Sequence, residues 1–176
     1  KKAKGEKRST NRSSESQILK LTDIKASQMQ RITTGISELD RALGGGLVNG
    51  QVVLIAGEPG IGKSTILLQL ADNLSKTVYV SGEESSSQVA IRAERLGIKN
   101  KNIDFLESTD VDDIIEQLSN SKSPSDLIAK LDLIIIDSIQ TMATSDLTGL
   151  AGSVGQVREC AFRLLKYAKS KNIPLI

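Results

Sequence analysis

Apolar positions along the chain fall into two alternating patterns. Short unbroken runs, Val52-Val53-Leu54-Ile55-Ala56 and Leu131-Asp132-Leu133-Ile134-Ile135-Ile136, have the length and β-branching of strands buried on both faces. Thr77-Val78-Tyr79-Val80-Ser81 and Ile103-Asp104-Phe105-Leu106 read as two further strands, and Ile173 to Ile176 as the start of another. Between them the period changes to that of a helix. Residues 63–75 place Ile66, Leu70 and Leu74 four apart, with Leu67 and Ala71 beside them. Val89, Ala93 and Leu96 mark a helix closed by Gly97, a residue suited to the left-handed turn that ends helices. Asp110 is placed to cap a helix carrying Ile114, Ile115 and Leu118, after which Ser119 to Asp126 reads as loop. A long helix over about 154–171 is expected to turn Val154, Val157, Ala161, Leu164, Leu165 and Ala168 inward.

Strands alternating with helices of ten or more residues indicate parallel βαβ units, so the expected class is α/β: a mostly parallel sheet with helices on both faces. The order of the strands is not readable from the pattern. Globular patterning begins near residue 33, which divides the chain into a basic arm or linker over 1–31 and an α/β domain over 32–176. Charge sharpens this division. Residues 1–31 hold nine Lys and Arg against three acidic residues, net +6, whereas the remainder holds 14 against 18, net −4. A Ser-rich, basic opening suits a solvated linker, and its charge also suits contact with phosphate.

Composition narrows the chemistry. With no His and one Cys in 176 residues, a His/Cys zinc site, a Ser-His-Asp triad, a Cys-His nucleophile and an internal disulfide are all excluded within these residues. No stretch approaches the roughly 18 apolar residues of a membrane span, so no membrane association is expected.

Gly57-Glu58-Pro59-Gly60-Ile61-Gly62-Lys63-Ser64 matches G-x-x-x-x-G-K-[ST], with a strand before it and an amphipathic helix after it. Glycines let the backbone take positive φ and bring several N–H groups onto phosphate oxygens, at a helix N-terminus that already favours an anion. Lys63 would bring its charge to the β- and γ-phosphates, Ser64 would ligate Mg²⁺, and Thr65 would lie near the α-phosphate. A glycine-rich strand-to-helix turn without a ligand needs no such combination.

Asp137 follows the run at 133–136 and so emerges at the carboxyl end of a central strand, where open α/β sheets bind their ligands. There a carboxylate can grip the water shell of Mg²⁺. Glu83 and Glu84 follow the strand at 77–81, where one carboxylate could orient an attacking water; Glu83 is the preferred one. The small, polar segment Thr144 to Gly155 is either a loop that orders on a polymeric ligand, with Arg158 and Arg163 nearby, or a mobile connection. Arg92 and Arg95 read as solvated helix charges, and Cys160 as a packing residue.

Several segments together resemble one family. Thr34-Gly35-Ile36-Ser37-Glu38-Leu39-Asp40-Arg41-Ala42-Leu43-Gly44-Gly45-Gly46-Leu47 is similar to the stretch preceding the P-loop in RecA-like ATPases. Adding Tyr79-Val80-Ser81-Gly82-Glu83-Glu84-Ser85, Arg92-Ala93-Glu94-Arg95-Leu96-Gly97, Ile136-Asp137-Ser138-Ile139-Gln140-Thr141 and Gly152-Ser153-Val154-Gly155-Gln156-Val157-Arg158-Glu159, the chain resembles the bacterial-type RadA (Sms) DNA repair ATPases from about residue 31 onward. The resemblance implies a RecA-like core using ATP and Mg²⁺, with Glu83 as the water-activating glutamate, Asp137 as the Mg²⁺-site aspartate and 144–155 as a DNA-contacting loop. It further implies a homo-oligomeric, hexameric ring acting as a motor in branch migration on single-stranded or branched DNA, alongside a RecA-type recombinase, in a bacterial cytoplasm or a eukaryotic organelle. Family members carry a four-cysteine zinc finger, expected before Lys1, and a Lys-Asn-Arg-Phe-Gly motif and a Lon-protease-like domain, expected after Ile176. Two competing readings are a RecA-like scaffold that uses ATP to assemble without acting on DNA, and a small-molecule P-loop kinase. The latter ranks last because no Arg-rich lid segment is evident.

Overall fold

The computed structural model describes residues 20, 22, 31–120 and 131–176. Most of the basic arm and the 121–126 part of the expected loop lie outside these described residues. In chain order the elements are β1 (Arg31–Ile32), α1 (Ser37–Ala42), β2 (Leu47–Val48), α2 (Lys63–Asn73), β3 (Thr77–Ser81), α3 (Ser86–Leu96), β4 (Ile103–Glu107), α4 (Val111–Asn120), β5 (Leu133–Asp137) and α5 (Val154–Lys171), with a 3-10 turn over Ile139–Thr141. The fold is α/β, as expected.

Three strands form a parallel sheet in the order β4-β3-β5, with Thr77 opposite Leu133 and Ser81 opposite Asp137. Strand alternation sends Val78, Val80, Ile134 and Ile136 to one face, where they pack with Val111, Ile114 and Leu118 of α4 and Cys160, Leu164 and Ala168 of α5. Tyr79, Leu133 and Ile135 face the other way, onto Leu67, Leu68, Leu70 and Ala71 of α2 and Val89 of α3. Both faces are therefore covered, as parallel sheets require.

Local signals place the helix ends. Ser85 caps α3 through a capping box with Gln88, and Gly97 closes it at φ 70°. Asp110 Oδ1 accepts the backbone N–H of Asp112 at 2.9 Å and starts α4, which runs through Ser119 and Asn120, two residues into the expected loop.

The chain segment 173–176 extends the sheet. Ile134 N donates to Pro174 O at 3.0 Å and Ile136 N to Ile176 O at 2.8 Å. On its far side Val53 N donates to Leu175 O at 2.8 Å and Leu175 N to Gln51 O at 2.9 Å. The stretch leading to the P-loop is thus tied beside 173–176, two places from β5. It is not the fully buried strand expected: only a bridge at Val52 joins it to Leu175, and Leu54 is 78% exposed. Its side chains alternate, with Val52, Leu54 and Ala56 exposed and Val53 and Ile55 half-buried, so a continuous apolar run ends with one face uncovered among the described residues.

Helix α5 also differs from expectation. Val154 is 84% exposed and Ala161 is exposed, while Gln156, Cys160, Leu164, Tyr167 and Ala168 turn inward. The inward stripe is displaced because a polar Gln and an amphipathic Tyr occupy two of its positions, and neither counts as apolar in a periodicity reading.

Ahead of the P-loop, β1 and β2 pair antiparallel across a connection that contains α1 and ends in three glycines, Gly44, Gly45 and Gly46, all at positive φ. A Cβ on Gly46 would lie 2.5 Å from Ile32 O. Arg31, assigned from sequence to the end of the arm, begins β1 and donates through Nη1 to Leu43 O at 3.0 Å and Gly46 O at 3.1 Å. Among the described residues no helix is long and apolar enough to cross a membrane.

Candidate nucleotide site

The phosphate loop takes the shape its glycines allow. Gly60 and Gly62 stand at φ 80° and 104°, and Gly62 is the N-cap of α2. A Cβ at either would meet nothing within 4 Å, so glycine is required there by backbone conformation rather than by space. Lys63, the first residue of α2, donates through Nζ to Gly57 O and Glu58 O, both at 2.9 Å. The loop therefore curls around the ammonium group. Glu58, Pro59, Gly60 and Ile61 are exposed along its crest, while Ser64 and Thr65 are half-buried in the first turn of α2.

Asp137 ends β5 half-buried and shares the face of Ile135, the face α2 covers. The strand thus delivers its carboxylate to the side of the sheet that carries the P-loop helix. Gly57, Lys63, Asp137 and Ser138 line one cavity of about 460 Å³, which continues along an apolar wall including Leu54, Val157 and Leu164. Oδ2 of Asp137 accepts a hydrogen bond from Tyr79 Oη at 2.6 Å. Burial, and then that bond, push the Tyr79 phenol far above its ordinary pKa, so it stays protonated and donates.

Glu83 and Glu84 part company. Glu83 is exposed and accepts a hydrogen bond from Ser138 Oγ, which brings it to the residue following Asp137. Gln140 Oε1 lies 2.9 Å from the same hydroxyl. Glu84 turns back onto α3 and pairs with Arg92, while its backbone N–H and carbonyl are both held by the Ser81 hydroxyl. Arg92 is consequently a half-buried ion-pair partner and not the solvated charge expected from its helical position; Arg95 is exposed.

The 144–155 segment is pinned. Gln156, 1% exposed, accepts Thr144 N at 2.9 Å and donates to Thr144 O at 3.1 Å and Leu147 O at 2.9 Å. Arg163 reaches Asp112 at 2.5 Å, Asp146 at 2.7 Å and Glu159 at 2.9 Å. Three carboxylates neutralise it, so it is not an open phosphate contact; Arg158 is exposed. Cys160 is buried packing, its thiol pushed up by that burial.

The donor set suits Mg²⁺. Among the described residues no group of three or more Asp, Glu, His or Cys side chains could form a protein-only metal cage. Mg²⁺ is typically held by one or two protein oxygens, waters and substrate phosphates, which a hydroxyl at 64 and a carboxylate at 137 can supply. The structure brings the loop, Asp137 and Glu83, all singled out from sequence, to one region, together with Tyr79, which the sequence reading passed over, and Ser138, to which it gave no role. Their partnerships depend on which strands are neighbours and in what register, and a single sequence carries no signal for that.

Comparison with known proteins agrees with this geometry. The family model described as "ATPase: KaiC" matches residues 32–173. The chain is 48% identical over 160 residues to the DNA repair protein RadA of Aquifex aeolicus, covering 89% of this chain and 34% of that protein. It is 45% identical to RadA of Bacillus subtilis, covering 88% and 33%, and 43% identical to RadA of Salmonella typhimurium, covering 92% and 34%. The chain spans about a third of the length of these relatives. A phosphate loop on α2, a carboxylate at the end of β5 and a family match over 32–173 give one conclusion: the chain belongs to the KaiC-type ATPase family, as a RecA-like ATPase domain of the bacterial RadA kind.

Proposed function

We propose that the chain binds ATP with Mg²⁺ between the 57–65 loop and Asp137, and hydrolyses it with Glu83 orienting the attacking water. The observation that carries this reading is that Lys63 and Asp137 line one cavity while Ser138 ties Glu83 to its rim. Backbone N–H groups of the loop and the N-terminus of α2 bind and orient the phosphates, and Lys63 exchanges its two loop carbonyls for phosphate oxygens. Ser64 and Asp137 would hold Mg²⁺, the latter through water; the ion would neutralise charge spread over the β- and γ-phosphates. Glu83 needs only to accept a proton from a well-placed water, so an ordinary carboxylate suffices. Glu84 supports this indirectly, by anchoring the β3–α3 turn through Arg92.

The named relatives are DNA repair proteins, which supports a DNA-linked role: an ATPase motor, stimulated by single-stranded or branched DNA, that promotes branch migration as a hexameric ring with a RecA-type recombinase. Its compartment would be a bacterial cytoplasm or a eukaryotic organelle. Zinc has no place in this reading within residues 1–176, which hold one Cys and no His. One observation favours the alternative of an ATP-gated assembly scaffold without DNA action: Arg163, one of the two arginines beside the 144–155 loop, is already paired with three carboxylates.

Titrating single-stranded DNA into the full-length protein at fixed salt separates the two. The motor requires ATP turnover to rise with DNA, and turnover indifferent to DNA leaves the scaffold. In the same assay Glu83→Gln keeps ATP binding and loses turnover; full turnover in that variant removes Glu83 from the chemistry.

A further inference from the structure

We propose that Tyr79 is a positioning residue for the metal-site carboxylate, clamping one oxygen of Asp137 so that the other is presented at a fixed angle to the ion's water shell. This inference rests on the reading of Asp137 as the Mg²⁺-site residue. It starts from the register of the central sheet. Tyr79 lies directly opposite Ile135, so Asp137 is its diagonal neighbour two residues further along β5, on the same face. That separation is within reach of a long aromatic side chain. The phenol closes the gap with a 2.6 Å bond from Oη to Asp137 Oδ2.

The donor is itself immobile. Tyr79 is fully buried, and its ring stacks on Phe105 of β4 with centroids 6.2 Å apart and planes 16° from parallel. A buried ring on the middle strand, packed over α2, cannot swing its hydroxyl elsewhere. The backbone of Asp137 is tied to the same strand's exit, since Gly82 N donates to Asp137 O at 2.9 Å. Both the main chain and one carboxylate oxygen of Asp137 are therefore referenced to β3, at a residue that lines the same cavity as Lys63.

This matters because Mg²⁺ tolerates little departure from octahedral geometry. An Asp at a strand end, where terminal carboxylate torsions are broad, would otherwise sample a range of orientations. Hydrogen bonds to metal-binding carboxylates are typically worth about 10–100-fold in metal affinity or activity. A bland alternative exists: a buried phenol needs some acceptor, and Asp137 is the nearest.

Tyr79→Phe separates the two, since it removes one oxygen and leaves the ring stack. The measurement uses the full-length protein with a non-hydrolysable ATP analogue, and reads Mn²⁺ affinity by electron paramagnetic resonance of the free ion. Tyr79→Phe is expected to weaken Mn²⁺ about tenfold or more while nucleotide affinity in EDTA stays unchanged. Asp137→Asn should weaken it as well, and the double variant no further than Asp137→Asn alone, because Tyr79 acts through that carboxylate. Wild-type Mn²⁺ affinity in Tyr79→Phe beside a weakened Asp137→Asn overturns the proposal and leaves the site reading intact. Wild-type affinity in Asp137→Asn overturns the site reading itself. Additive losses, or loss of metal-free nucleotide binding in Tyr79→Phe, mark a general structural role and also overturn the proposal.

Discussion

Gly82 shows how little room the site leaves for adjustment. A Cβ there would lie 2.3 Å from Thr141 Oγ1 and 3.0 Å from Met142 Cε. Thr141 Oγ1 donates to Ser138 O at 2.8 Å, and Ser138 in turn holds Glu83. A methyl group on Gly82 must therefore displace the Thr141 side chain, whose bond to Ser138 O braces the residue that holds the proposed water-orienting carboxylate. Gly82→Ala is expected to cost about 1–3 kcal/mol of stability by overpacking, and to lower kcat more than it raises KM for ATP. Urea unfolding and steady-state kinetics on the same preparation check it; unchanged kcat alongside reduced stability would separate Thr141 from catalysis. At this scale the loop proposed to bind phosphate was legible in sequence, because its motif is local and contiguous. Tyr79, Ser138 and Gly82 were not, since each acts across a gap between strands that only the folded sheet closes.

Among the elements, α5 carries the least expected device. Gln156 sits in the first turn of the helix, buried, and its side-chain amide satisfies Thr144 N, Thr144 O and Leu147 O. The polar loop is held by a polar knob in an apolar stripe, which explains why helical periodicity alone misjudged which face turns inward. Gln156→Leu would keep much of the volume but leave those backbone groups unpaired, at about 1–3 kcal/mol for a buried unsatisfied group. The expected signature is faster amide exchange over 144–149 with β3 and β5 still protected. A second tether depends on pH. Hydrogen bonding from Thr144, together with the Arg163 guanidinium, lowers the Asp112 carboxyl below its ordinary value of about 4, against a smaller opposing effect of burial. A folded-state pKa below the unfolded one contributes stability that is present above the unfolded value and disappears as pH falls through the folded one. Loop protection should therefore fade below about pH 4, and Asp112→Asn should remove most of that dependence. Protection factors over 144–149 that stay flat as the solution is acidified through that range would remove Asp112 from this role.

For the molecule as a whole, class and element order were readable from alternating periods, while strand order was not. Parallel partners are chosen by tertiary packing, and nothing in the run at 52–56 says that 173–176 stands between it and β5. Charge is the global property that sequence does report, and it bears on the DNA reading. The body from residue 32 onward is mildly acidic in sum, and Arg163 is spent on carboxylates, so long-range attraction for a polyanion must come largely from elsewhere. Residues 1–30 hold eight Lys and Arg against three acidic residues, and removing them changes the net charge from +2 to −3. Arg31 must stay, because it bonds the glycine turn of the body. A chain starting at Arg31 is expected to bind ATP as the longer chain does, since every proposed nucleotide contact lies at 57 or beyond. Its affinity for single-stranded DNA should fall, and the slope of log K against log salt should become shallower by about 0.7 for each phosphate the arm no longer neutralises. An unchanged slope would make the arm a simple linker and put DNA binding on the body's own exposed cations, Arg158 first among them.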